Sequence, residues 1–112
     1  MLIFKIVPRH EWERAGDAYQ GSAHDQADGF LHFSTRPQLA ETLRRYYAGQ
    51  DGLMLVAVDS GKLGAALKWE HSSSRGEDFP HLYGALPRSA VIWAKPINRK
   101  PDGEFLLPPD NS

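Results

Sequence analysis

Hydrophobic and polar positions divide the chain into short, well-punctuated elements. Residues 2–7 alternate, with Phe4 and Ile6 on one side and Lys5 on the other, and Pro8 ends the strand this predicts. A short helix over residues 10–15 follows, closed by Gly16, and the polar, aperiodic stretch 17–28 reads as a loop. A second strand is predicted over residues 30–34. Thr35 then stands as a helix N-cap, with Pro37 in the first turn and Gln38 completing a capping box. Leu39, Ala40, Leu43, Tyr46 and Tyr47 recur at helical intervals up to the stop at Gly49. Residues 53–58 are continuously apolar, as suits a strand covered on both faces. A turn at 59–62, strands at 65–70 and 90–95, a polar loop at 71–79 and a short extended segment at 81–83 complete the reading. The late links are too short for helical crossovers, so the pattern predicts an α+β domain with a small mixed or mainly antiparallel sheet and two helices in its N-terminal half. Residues 1–97 form the expected globular domain. Residues 98–112, interrupted by proline and glycine, form the expected C-terminal tail, with one apolar patch at 105–107.

Side chains alternate across a strand, so each polar residue can be assigned a face. Leu31 and Phe33 oppose His32 and Ser34; Leu67 and Trp69 oppose Lys68 and Glu70; Leu82 opposes His81 and Tyr83. If the apolar faces share one core, then Lys5, His32, Ser34, Lys68, Glu70, His81 and Tyr83 line one cleft. Pairing of histidine with hydroxyl, His32 with Ser34 and His81 with Tyr83, suits acid/base work or polar ligand recognition. Ser34 lies in HFSTRP, without the glycine-flanked turn of a hydrolase nucleophile, and reads equally well as a cap or hydrogen-bonding group. Leu31 and Trp69 are expected in the core, and His10, His24 and His71 in the solvated background.

Composition narrows the chemistry further. The 112 residues include no cysteine and five histidines, and 13 Lys and Arg stand against 14 Asp and Glu, for a net charge of −1. That excludes disulfides, thiolate metal sites and a cysteine nucleophile, and it argues against a broad DNA-binding field. No histidine pair falls at i and i+4 and no H-E-x-x-H motif occurs, so no metal is expected; Asp25, Asp28 and Glu70 would join a site only if the fold gathered them. Phosphate-cradling glycine loops are missing as well. The longest uncharged apolar run, residues 53–58, is far below the roughly 20 residues of a membrane span. With no signal-peptide pattern at the start, a cytoplasmic protein without membrane partners is expected.

Two motifs carry a resemblance. Gly29-Phe30-Leu31-His32-Phe33-Ser34 and Phe79-Pro80-His81-Leu82-Tyr83-Gly84, with Lys68-Trp69-Glu70 before the second, make residues 2–96 similar to the bacterial family known as domain of unknown function 952. That family resembles in turn the ADP-ribosyltransferase superfamily, which implies a split sheet holding NAD in its cleft. By this resemblance Lys5 takes the place of the NAD-holding histidine or arginine, and His32 that of the tyrosine that stacks on nicotinamide. His81 stands where the superfamily has its catalytic glutamate, with Glu70 one loop earlier. The chain therefore lacks the His-Tyr-Glu set, and transfer of ADP-ribose to protein is not implied; a histidine-lined nucleotide site, nearer the RNA 2′-phosphotransferase branch, is. The resulting expectation is a domain that binds or processes NAD or another ADP-ribose-containing nucleotide. Lys5 and Ser34 would contact phosphate or ribose, and His32, His81, Glu70 and Tyr83 would do the chemistry. A noncatalytic small-molecule or protein-binding module and a metal-assisted hydrolase are the alternatives.

Overall fold

In the computed structural model, which describes residues 1–110, the chain runs β1 (Leu2–Pro8), α1 (Arg9–Arg14), β2 (Ala18–Tyr19), α2 (Ala23–Asp28), β3 (Leu31–His32), α3 (Leu39–Tyr46), β4 (Leu53–Asp59), β5 (Leu67–Ser72), β6 (Glu77–Leu82), β7 (Leu86–Pro87), β8 (Val91–Arg99) and β9 (Phe105–Leu106). Every strand pair among the described residues is antiparallel. The main sheet has the order β1-β4-β8-β9, a second has β3-β6-β5, and β2 pairs with β7. Phe4 and Ser34 exchange backbone hydrogen bonds of 2.8 Å in both directions, so the chain curls from the second sheet onto the edge of the first. The architecture is α+β, a curled, antiparallel arrangement with few helices.

In the main sheet β1 and β4 are buried on both faces, as the unbroken apolar run of β4 requires. Ile3, Val7, Val56 and Val58 face Trp12, Tyr19, Phe33, Leu31, Leu82 and Leu86. Phe4, Ile6, Leu53, Leu55 and Ala57 face Leu39 and Leu43 of α3 together with Trp93 and Ile97. The capping box at Thr35 forms as the sequence indicates, Thr35 N donating to Gln38 Oε1 at 2.9 Å, and a short 3-10 turn over Arg36–Gln38 leads into α3.

Several expectations change. The stretch 71–79 is not one loop: β5 runs to Ser72 and β6 starts at Glu77, with only residues 73–76 between them. The stretch 17–28 is not a loop: it holds β2 and a third helix, α2. Lys5 does not face a wet cleft, because both faces of β1 are covered; it lies 5 % exposed between the buried Ile3 and Val7. Trp69 is 44 % exposed, on β5, the outer strand of its sheet. The region expected as a tail begins inside β8 and turns back as β9, with Asn98 opposite Leu106 and Arg99 opposite Phe105. Phe105 and Leu107 pack on the α3 side of the core, and the Asp110 carbonyl accepts a 2.7 Å hydrogen bond from Trp93 Nε1. Residues 111–112 lie outside the described residues.

Candidate functional site

The site is built around α2. Ser22 Oγ accepts from Asp25 N at 3.1 Å, and Asp25 Oδ2 accepts from Ser22 N at 2.9 Å, a reciprocal capping box that starts the helix. Gly29, at φ +86°, ends it in the left-handed conformation that glycine adopts without strain. Gly21 is similarly constrained: at φ +99°, a Cβ there would come within 2.9 Å of Asp25 Cβ.

Asp25 points inward and is 2 % exposed. Its Oδ2 lies 2.9 Å from Lys5 Nζ, its Oδ1 accepts from His32 N at 3.1 Å, and the same oxygen meets His32 Nδ1 at 2.6 Å. Lys5 Nζ also donates to the His32 carbonyl at 3.0 Å. Burial pushes the Asp25 carboxyl up, but the hydrogen bonds from His32 and Ser22 and the charge of Lys5 outweigh it and hold the group well below the usual carboxylate range. Burial pulls the Lys5 ammonium down from its ordinary value, against the opposing pull of Asp25. Asp25 is thus an ionised, fully hydrogen-bonded anchor, and it fixes the ring of His32.

Around that anchor the titratable side chains converge. His32 Nε2 lies 2.9 Å from Asp28 Oδ2, and His24 Nε2 approaches the same oxygen at 3.5 Å. His24 and Asp28 stand one helical turn apart, so α2 presents both on one face. The His24 ring stacks on His32 at 4.7 Å between centroids. Among the described residues, the ligand atoms of His24, Asp28 and His32 lie within 4.8 Å of one another.

The second half of the site comes from β5 and β6. His81 is the register partner of both His32 on β3 and Lys68 on β5, which sets the three in a row across one face. Glu70 Oε1 accepts from His81 Nδ1 at 2.8 Å and from Tyr83 OH at 2.7 Å. The hydrogen bonds from Tyr83 and His81 keep the Glu70 carboxyl below its usual value, and the bond to Glu70 raises the Tyr83 phenol. Phe30 closes the group: its ring stacks on His81 at 4.0 Å and lies 4.6 Å from His32 and 5.2 Å from Tyr83. Beside Phe30 lies an open depression of about 270 Å³ whose lining includes Asp25, Gly29, Leu31 and Gly84, so residues of both sequence motifs border it. A larger depression of about 580 Å³ lies between α3 and the C-terminal hairpin; its arginines are already paired, Arg44 with Glu41 and Arg99 with Asp51, and no histidine lines it.

Of the residues singled out in the sequence, His32, His81, Glu70 and Tyr83 come together. Lys5 sits beneath them as a buried support. Ser34, 5 % exposed, is directed elsewhere, its Oγ 3.3 Å from Thr42 Oγ1. Asp25, Asp28, His24 and Phe30 complete the cluster. The sequence names Asp25 and Asp28 only as residues that the fold would have to gather, and it places His24 in the solvated background; α2 brings all three to His32, and its terminal signals, the capping box Ser22-x-x-Asp25 and the helix stop Gly29, are present in the sequence.

Comparison with known proteins fits this picture. The family model described as protein of unknown function (DUF952) matches residues 6–94. The crystal structure of protein CC0527 from Caulobacter crescentus is similar at a TM-score of 0.88 and 42 % identity, covering 96 % of this chain and 95 % of that one. The solution structure of the same protein gives 0.80 and 43 %, over 91 % and 89 % of the two chains. No curated protein matches. With nearly all of the folded chain inside that match, including both motifs that border the site, the chain belongs to the DUF952 family of proteins of unknown function.

Proposed function

We propose that the chain binds and processes a nucleotide of the ADP-ribose class, NAD among them, over the surface formed by Phe30, His81 and Tyr83. The observation that carries this reading is the double hydrogen bond to Glu70 Oε1. By engaging Nδ1 of His81, Glu70 fixes the ring and leaves Nε2 as the proton-handling atom, with no partner among the described residues. Glu70 itself is held ionised and stays partly open to solvent. It can orient a ribose hydroxyl and favour a cationic, oxocarbenium-like state, the task the sequence motif leaves without its usual glutamate. The aromatic face of Phe30 and the adjoining depression offer a planar base a stacking surface. Lys5, being buried, supports the site from below without touching the ligand, and Ser34 is turned away toward Thr42.

The test is calorimetry with NAD and with ADP-ribose, together with measured release of nicotinamide. Wild-type protein should bind, and Phe30→Ala should bind more weakly. Glu70→Gln and His81→Ala should lower release by about 100-fold or more. Absence of binding heat with both ligands overturns the reading; binding without release leaves a noncatalytic nucleotide-binding module.

A further inference from the structure

His24, Asp28 and His32 have a chemistry that proton transfer at His81 does not use. We infer that these three side chains bind a divalent transition-metal ion, zinc or a first-row neighbour, at a site with open coordination positions.

The donor set comes first. Two imidazole nitrogens and one carboxylate oxygen suit zinc and its neighbours better than magnesium or calcium, which prefer oxygen alone. The i, i+4 spacing on α2 places His24 and Asp28 side by side, and β3 brings His32 to the same carboxylate oxygen. The second observation is how His32 is held. Asp25 is an acceptor at 2.6 Å from Nδ1, so a proton belongs on Nδ1 and Nε2 is the nitrogen that can offer a lone pair to a metal. A buried carboxylate backing a histidine in this way is the usual outer support of a metal-ligating imidazole. Nε2 faces Asp28 Oδ2 at 2.9 Å, a contact that either a proton on Nε2 or a metal ion shared by the two atoms satisfies. A proton on Nε2 serves the His32–Asp28 pair alone. A metal ion engages both of them and His24 together.

Exposure settles the kind of site. The His24 and Asp28 side chains are 76 % and 41 % exposed, so three protein ligands face solvent and the remaining positions are open to water or a substrate oxygen. His24 must turn out of its stack on His32 to complete coordination, and its exposure leaves it free to do so.

The experiment uses the full, untagged chain stripped with a chelator and titrated with Zn²⁺ by calorimetry, then with Co²⁺ followed by visible absorption. One equivalent should bind, with a cobalt ligand-field band. His24→Ala and Asp28→Asn, both at exposed positions and checked for unchanged melting, should each weaken zinc by about tenfold or more, whereas His71→Ala, at the exposed His71–Asp78 pair, should not. No saturable one-equivalent binding, or wild-type titration by His24→Ala and Asp28→Asn, overturns the inference. Equal weakening by His71→Ala does so too, since it marks scattered surface binding. No nucleotide is present in this titration, so its failure leaves the nucleotide reading standing, and the converse holds.

Discussion

Asp25 receives four close contacts, from Ser22 N, Lys5 Nζ, His32 N and His32 Nδ1, which close the start of α2 and tie it to β1 and β3. Removing it strands the buried ammonium of Lys5. Asp25→Ala should therefore cost about 3–5 kcal/mol in chemical denaturation, while the double variant Lys5→Met with Asp25→Ala should recover part of that loss, because the uncompensated charge goes with the lysine. A second contrast at this scale separates the core from its edge. Leu31, 5 % exposed, should cost about 2–5 kcal/mol on truncation to alanine. Trp69, 44 % exposed at the outer strand, should cost within about 1 kcal/mol, and a larger loss there would show that its ring is packed.

At the level of elements, α3 offers a pH-dependent test. Glu41 pairs with Arg44 and Arg45, both at 2.6 Å, and these bonds lower its carboxyl from 4.5 to about 2. A depressed value means that the folded state binds fewer protons than the unfolded one; the stabilisation is complete above about pH 4.5 and disappears as pH falls through about 2. A proton titration of Glu41 followed by NMR should show this midpoint, and added salt should raise it, since the pair is exposed. The same scale shows what the sequence made legible. The capping box at Thr35, the apolar stripe of α3 and the two-faced run of β4 are local patterns, and the structure contains them. The row of His32 and His81 followed from strand alternation, though their adjacency depended on a register that alternation does not specify. For Lys5, alternation assigns a side but does not specify that the side is covered, and the structure buries it. For α2 the obstacle was length: six residues are too few for a hydrophobic period, and only the terminal signals at Ser22, Asp25 and Gly29 announce it.

Across the whole molecule, the C-terminal hairpin and the histidine site occupy different sides. Among the described residues, the hairpin and the chain that follows it bond to β8, Trp93 and Arg36, with Arg36 2.9 Å from Asp110, and they make no bond to the histidines. Truncation after Arg99 should uncover Trp93 and lose the packing of Phe105 and Leu107, at a cost of about 2–3 kcal/mol, and leave metal and nucleotide binding within twofold. The opposite result, intact stability with lost binding, would place the chain end over the site. A helix of six residues has little stability of its own. Asp25, however, is clamped to Lys5 in the middle of β1, which pairs along its length with β4. Opening α2 would leave that lysine without its counter-charge inside the core, so the cheap local fluctuation expected of so short a helix is suppressed. Amide protons over residues 26–30 should then exchange with solvent as slowly as those of β1, and a melting curve followed at the His32 ring should superimpose on one followed at Trp93. The site would vanish only with the cooperative unfolding of the entire domain, never ahead of it.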